Sequence, residues 1–282
     1  MSTAEVRLRD VKGPSALGGG WRRFGELLYL ISVTEFKRTY FGTVLGYVWT
    51  LLRPLLLFAV LLFVFTKIFR LGSQVENYPV LLLLNIVLYG FFQDATTQAV
   101  TSVVAQEGIV RKTQFPRLVV PMATVVTALF NLGMNLIAVA IFLLAYGVDP
   151  TWTWFELPLI VAALFVLTAA TSTLLSCLYV RFRDVAIIWS VLAMALFYGS
   201  PVLYPFQDPP VPERYHDLLA INPLTPLFAQ ARKAIVDPSA PSAVEAVGGW
   251  AHMVPPLAIA LALCGIAAWY FNREAPRVAE QL

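Results

Sequence analysis

Leu45-Gly-Tyr-Val-Trp-Thr-Leu-Leu-Arg-Pro-Leu-Leu-Leu-Phe-Ala-Val-Leu-Leu-Phe-Val-Phe65 carries one charged residue, Arg53, in an otherwise apolar run. A helix rises about 1.5 Å per residue, so about 20 apolar residues cross the roughly 30 Å hydrocarbon core of a bilayer. The run reads as a transmembrane helix. The rest of the chain is built the same way: 59% of the 282 residues are hydrophobic and 13% are charged, against about a quarter charged in soluble domains. Further apolar runs at about Val80 to Val103, Leu118 to Tyr146, Leu157 to Val180, Val185 to Tyr204 and Trp250 to Phe271 bring the spans to six. The fold class is therefore all-α, a polytopic membrane protein with a single six-span domain over residues 44–271.

An even number of spans puts both termini on one side, and the basic residues say which. Seven Lys or Arg precede Thr43; with those at 111, 112, 117, 181, 183, 273 and 277 they make fourteen on one side, against five on the other (Lys67, Arg70, Arg214, Arg232 and Lys233). Positive charge is retained inside, so the termini are expected to be cytoplasmic. The first apolar run lies about forty residues into the chain and is too long for a signal-peptide core, so it reads as a retained span. The excess positive charge is accounted for by topology and gives no reason to infer nucleic-acid binding. Cys177 and Cys264 fall inside spans, where they read as small apolar packing residues.

Outside the spans, residues 1–20 read as a polar tail ending in Gly18-Gly-Gly20, and residues 272–282 as a second tail. Over residues 21–43, Phe24, Leu27, Leu28 and Ile31 recur at helical spacing among Arg22, Arg23, Glu26, Glu35, Lys37 and Arg38. That pattern predicts an amphipathic helix lying along the inner membrane surface. The basic island Glu107-Gly-Ile-Val-Arg-Lys-Thr-Gln-Phe-Pro-Arg-Leu-Val-Val-Pro121 sits between the second and third spans and forms a polar handle on the cytoplasmic side.

Polar groups within the spans need partners. Arg53 next to Pro54 predicts a local break and a snorkelling guanidinium. Asn85, Tyr89, Gln93, Thr96 and Thr97 fall on one arc of the second span, which should meet another helix, another subunit or a water-filled path, helix packing being the commoner case. Asp94 projects away from that arc, and an ionisable group at such depth is by default a functional candidate. Thr168, Thr171, Ser172 and Ser176 on the fourth span form a close-packing seam.

The external stretch between the last two spans contains Ser200-Pro-Val-Leu-Tyr-Pro205 and Asn222-Pro-Leu-Thr-Pro226. Thr225 before Pro226 reads as a helix start, continuing from Leu227 to Val236, and Pro212 to Ala220 as a second short helix, the pair dipping into the outer membrane face. Tyr198, Tyr204 and Phe206 give this region an aromatic rim. Enzyme chemistry finds little support. Glu213, His216 and Asp217 lack a second ligand cluster, His252 is isolated, and no Lys follows a Gly, so the chain has no G-x-x-x-x-G-K-[ST] phosphate cradle.

Leu45-Gly-Tyr-Val-Trp49 with Arg53-Pro54, Arg111-Lys112 with Phe115-Pro116-Arg117, Arg181-Phe-Arg-Asp184, Ser200-Pro-Val-Leu-Tyr204 and Asn222-Pro-Leu-Thr225 occur in an order that resembles the membrane subunit of ABC-2 type exporters for lipid-linked polysaccharides, the O-antigen and teichoic-acid permeases. Trp21-Arg-Arg-Phe-Gly-Glu26 and Val33-Thr-Glu-Phe-Lys-Arg38 also look like the actinobacterial members that export cell-wall galactan. The resemblance implies a non-enzymatic homodimer in the bacterial plasma membrane, with two copies of a separate ATPase chain that holds ATP and Mg. It makes 107–117 a coupling helix, with Glu107, Arg111, Lys112, Phe115, Pro116 and Arg117 against the ATPase. It makes the helices at 205–236 a gate. Tyr89, Tyr198, Tyr204, Phe206, Asn222 and Pro223 are channel or gate residues on this reading, and Arg22, Arg23, Lys37 and Arg38 would contact the pyrophosphate of a polyprenyl-linked glycan. Two rivals stay open: an ABC-2 exporter of drugs or small lipids, and an ion-coupled secondary transporter built around Asp94.

Overall fold

The computed structural model describes residues 20–40, 46, 48–68, 75, 77–108, 116–206 and 213–274. The readings of residues 1–19, of Arg111, Lys112 and Phe115, and of the tail past Glu274 lie outside these. Among the described residues all regular structure is helical, with no strand. Helix α1 (Trp21–Tyr40) precedes α2 (Val48–Phe63), which continues as a π turn to Ile68. Then come α3 (Tyr78–Ala105), α4 (Val119–Ala145) and α5 (Leu157–Arg181), the last led by a 3-10 turn over Trp152–Glu156. The short α6 (Val185–Gly199) is followed by α7 (Glu213–Ala220), α8 (Leu224–Ala231) with a π turn to Val236, α9 (Ala243–Ala246) and α10 (Trp250–Glu274).

Five of the six apolar runs, at 48–68, 78–105, 119–145, 152–181 and 250–274, form helices long and apolar enough to cross a membrane. The sixth differs from its expected bounds. Its helix stops at Gly199 after 15 residues, a rise of about 22 Å against a core of about 30 Å. The cause is local: Pro201 disfavours helical backbone in the residue before it, and Ser200 is extended at φ −111° and ψ 154°. The chain from Ser200 to Leu203 nevertheless stays buried. The expected break at Pro54 does not occur, because α2 runs through it. A proline is tolerated within a membrane helix where its surroundings re-satisfy the freed backbone group.

Helix α3 is the axis of the molecule, buried at every position from Val80 to Tyr89. It starts at Asn77 in the left-handed region (φ 54°), which Asn tolerates, with Pro79 in the first turn where no N–H is required. Around it pack α2, α4, α5 and α6. The seam on α5 is buried as its small residues require, and Thr168 and Thr171 donate back to the carbonyls of Leu164 and Leu167 at 2.7 and 2.8 Å. Helix α4 ends in a Schellman turn: Gly147 has φ 86°, Val148 N–H reaches Leu143 O at 3.1 Å and Gly147 N–H reaches Leu144 O at 3.2 Å.

Amphipathic helix α1 is seated on the first half of α4. Phe24 joins Val103, Val119, Val120 and Val180 in a small core, Ser32 Oγ donates to Ala123 O at 3.4 Å, and the rings of Phe36 and Phe130 meet edge to face at 5.7 Å. Trp21, Tyr29 and Leu30 are left exposed on its outer face.

Candidate functional site

Two features of α3 organise the site: a ladder of polar side chains that holds the shortened α6, and a cavity on its α2 and α4 side. The ladder begins where α6 runs out of helix. The carbonyls of Pro201 and Val202 have no helical partner, and Asn85 Nδ2 donates to them at 3.0 and 3.4 Å. Tyr78 Oη donates to Leu203 O at 2.7 Å, Tyr89 Oη to Ala193 O, and Trp189 Nε1 to Thr96 Oγ1 at 3.1 Å. Buried polar groups must be paired, and here the pairing joins α3 both to the helix of α6 and to the non-helical stretch that follows it. Three members of the predicted polar arc, Asn85, Tyr89 and Thr96, take part. Gln93 turns to the cavity and Thr97 is exposed.

Asn222 extends the connection. Its Nδ2 donates to Ser200 Oγ at 2.8 Å and to Gly199 O at 3.3 Å, while its Oδ1 accepts from Leu224 N–H at 3.0 Å. One side chain thus ties the end of α6 to the start of α8. That start is two residues earlier than the sequence predicts, with Pro223 in the capping position, and the Thr225 hydroxyl does not cap the helix: it donates to Leu219 O at 2.7 Å, which fastens α7 to α8. Behind this joint, Phe228, Ala231, Ala234, Ile235 and Val236 belong to the main core. Arg232 pairs with Asp237 at 3.8 Å, both largely buried, and Gln230 bridges Glu156 Oε2 at 2.6 Å and Ala243 N–H at 2.9 Å. The short helices are packed into the bundle.

The cavity lies between α2, α3 and α4, with a volume of about 460 Å³. Arg53 and Asp94 meet in it, Nη1 to Oδ1 at 3.6 Å, with the Arg53 side chain 80% exposed and that of Asp94 44%. Thr50, Gln93, Asn131 and Asn135 supply further polar wall, and Trp49, Tyr89 and Phe197 aromatic wall. The meeting of residues 53 and 94 was invisible in the sequence, which marked each alone. A second, apolar cavity of about 420 Å³ lies between α5, α8 and α10, with Pro223 on its rim.

The expected channel residues fall in different places. Tyr89 is buried but lines the polar cavity, Tyr198 is exposed, Tyr204 is partly buried with its hydroxyl donating to Tyr198 O at 3.3 Å, and Phe206 is buried against the His216 ring at 4.2 Å. Of the island, Glu107 is partly buried, and Pro116 and Arg117 are buried in the turn that opens α4. The four basic residues of α1 are not brought together. Arg22 and Arg23 stand at its first turn and Lys37 and Arg38 at its last, about 22 Å apart along one helix, too far for one pyrophosphate. Arg22 pairs with Glu26 at 3.2 Å and Arg38 with Glu35 at 3.8 Å.

A family model described as ABC-2 type transporter matches residues 26–236. The chain is 30% identical over 208 residues to the O-antigen export system permease protein RfbA of Klebsiella pneumoniae, covering 73% of this chain and 79% of that protein. It is 29% identical over 221 residues to the protein of the same name from Myxococcus xanthus, covering 78% and 84%. The polysialic acid transport protein KpsM of Escherichia coli is 24% identical over 221 residues, covering 75% and 80%.

Proposed function

The chain belongs to the ABC-2 type transporter family, and on that premise we propose that it is the membrane permease of an exporter that moves a polysaccharide, carried on a polyprenyl pyrophosphate, out across the bacterial plasma membrane. The observation that carries this reading is the match from α1 to the end of the packed external helices, together with likeness over most of the chain to O-antigen export permeases and a polysialic acid transport protein. ATP and Mg belong to a separate ATPase chain, two copies of which act on a homodimer of this one. Both termini and the island are cytoplasmic, as the distribution of basic residues requires.

The geometry supplies a route for the force. The coupling segment 107–117 follows the end of α3, an uninterrupted helix of 28 residues and so about 42 Å long. A push there displaces a rod whose far half is bonded to α6 and to residues 201–203. Asn222 hands that displacement on to α8. The gate helices α7 and α8 then move with α3. The homodimer reading draws support from α2, on which Phe58 is buried while Arg53 is displayed. A guanidinium on a span is costly against lipid, so that face is turned to the second copy and to the path between them.

Co-reconstitution with the partner ATPase in proteoliposomes tests the reading. ATP-dependent movement of a lipid-linked glycan is the expected result, with no movement when the ATPase is left out. Transport in its absence would convert the protein into an ion-coupled carrier, and transport of small lipids or drugs but not of glycan would move it to the other branch of the family.

A further inference from the structure

We propose that the cavity around Arg53 and Asp94 is a binding site for a neutral, polyhydroxylated sugar unit; this rests on the export reading above. The wall carries one positive and one negative side chain, so its net charge is zero, and an anion or a cation would meet a like charge beside the unlike one. A sugar ring suffers no such conflict. Each of its hydroxyls can donate to the Asp94 carboxylate and accept from the Arg53 guanidinium, and both are strong, charge-assisted partners.

The pair is also set for insertion. At 3.6 Å Nη1 and Oδ1 are past hydrogen-bonding distance, so both retain capacity for a third group. Thr50 Oγ1, on the same wall, is buried without a hydrogen-bond partner. Gln93 and Asn135 add amides able to donate and accept, while the half-exposed Trp49 adds a ring, the kind of surface on which the apolar face of a sugar can lie. A volume of about 460 Å³ falls within the roughly 300–1,000 Å³ of small-ligand pockets. Placement fits as well, since the exposed Arg53 side chain opens the cavity to the face assigned above to the transport path.

The test uses the whole transporter, permease with its ATPase in nanodiscs, with Cys177→Ala and Cys264→Ala as background and a single reporter at a wall position that supplies none of these groups, Leu57→Cys or, should that variant misassemble, Gly90→Cys. A membrane-impermeant thiol reagent reports water access. The probes are a soluble neutral galacto-oligosaccharide and, separately, inorganic pyrophosphate. The reporter is expected to label, to be protected by the oligosaccharide and not by pyrophosphate, and to need about tenfold more oligosaccharide for half-protection when Asp94→Asn removes one charge-assisted partner. Protection by pyrophosphate would make the cavity an anion site and overturn the proposal, as would labelling indifferent to sugar or no labelling at all. The two readings fail separately: export of glycan by the wild-type transporter, with a reporter variant that ignores the oligosaccharide, loses the site and keeps the function, whereas a wild-type transporter that exports no glycan loses both.

Discussion

Asn222 shows how much one amide can decide. It holds three partners on two elements, and no apolar residue can replace any of them. Asn222→Ala should lower the unfolding free energy by about 1–3 kcal/mol, the cost of stranding paired groups, read as a lower thermal midpoint in detergent. Asn222→Asp should lie between, since it keeps the acceptor for Leu224 N–H and loses the donor to Ser200. Glu245 is the matching case for pH. Ser242 N–H and Oγ donate to its carboxylate at 2.7 and 2.8 Å, Ser242 Oγ accepts from Glu245 N–H, and Lys233 lies 3.6 Å away. The bonds from Ser242, backbone first and hydroxyl second, and then the Lys233 charge hold the carboxyl below its usual range. A depressed value means that the folded state favours the ionised form, so the contribution is present above the ordinary carboxylate range and is lost as pH falls through the depressed value. The protection of the Ala246 and Val247 amides, taken relative to their intrinsic exchange at each pH, should therefore fall on acidification, and Glu245→Gln should flatten that dependence.

Among the elements, α3 and α6 must be read together. A span of 15 residues is too short to cross alone, and its non-helical end is kept in the bundle because Asn85 and Tyr78 accommodate its carbonyls. Replacing both, Tyr78→Phe with Asn85→Leu, should leave ATPase stimulation near the wild-type level while export falls about tenfold or more, as expected when two buried bonds of about 1 kcal/mol each no longer tie gate to rod. Loss of ATPase stimulation together with export would place the joint on the input side and contradict the rod. The sequence carried half of this relation: the polar arc was legible as a face needing partners, while the span that meets it was expected to run on to Tyr204 and stops at Gly199. That these two meet, over more than a hundred residues of chain, was not legible. Helical periodicity reports which side of a helix is polar but not which neighbour turns toward it.

For the molecule as a whole, the central relation is between the island at one end of α3 and the packed short helices at the other. Arg111→Glu with Lys112→Glu should abolish stimulation of the partner ATPase and export together, while leaving membrane insertion and thermal midpoint unchanged. Unaltered stimulation would remove the coupling assignment. These residues serve better than Arg117, whose burial in the turn before α4 means that its reversal would also disturb folding. The sequence by itself determined the solvent, the number of apolar runs and the approximate positions of α7 and α8, because each follows from composition, length or local pattern along one dimension. Tertiary structure alone decided that Arg53 faces Asp94 across a cavity, that Asn85 holds Pro201 and Val202, and that the basic pairs of α1 stand apart. A buried polar group has to find a partner. Which partner it finds depends on how the helices pack around α3, a three-dimensional fact that no periodicity along the chain contains.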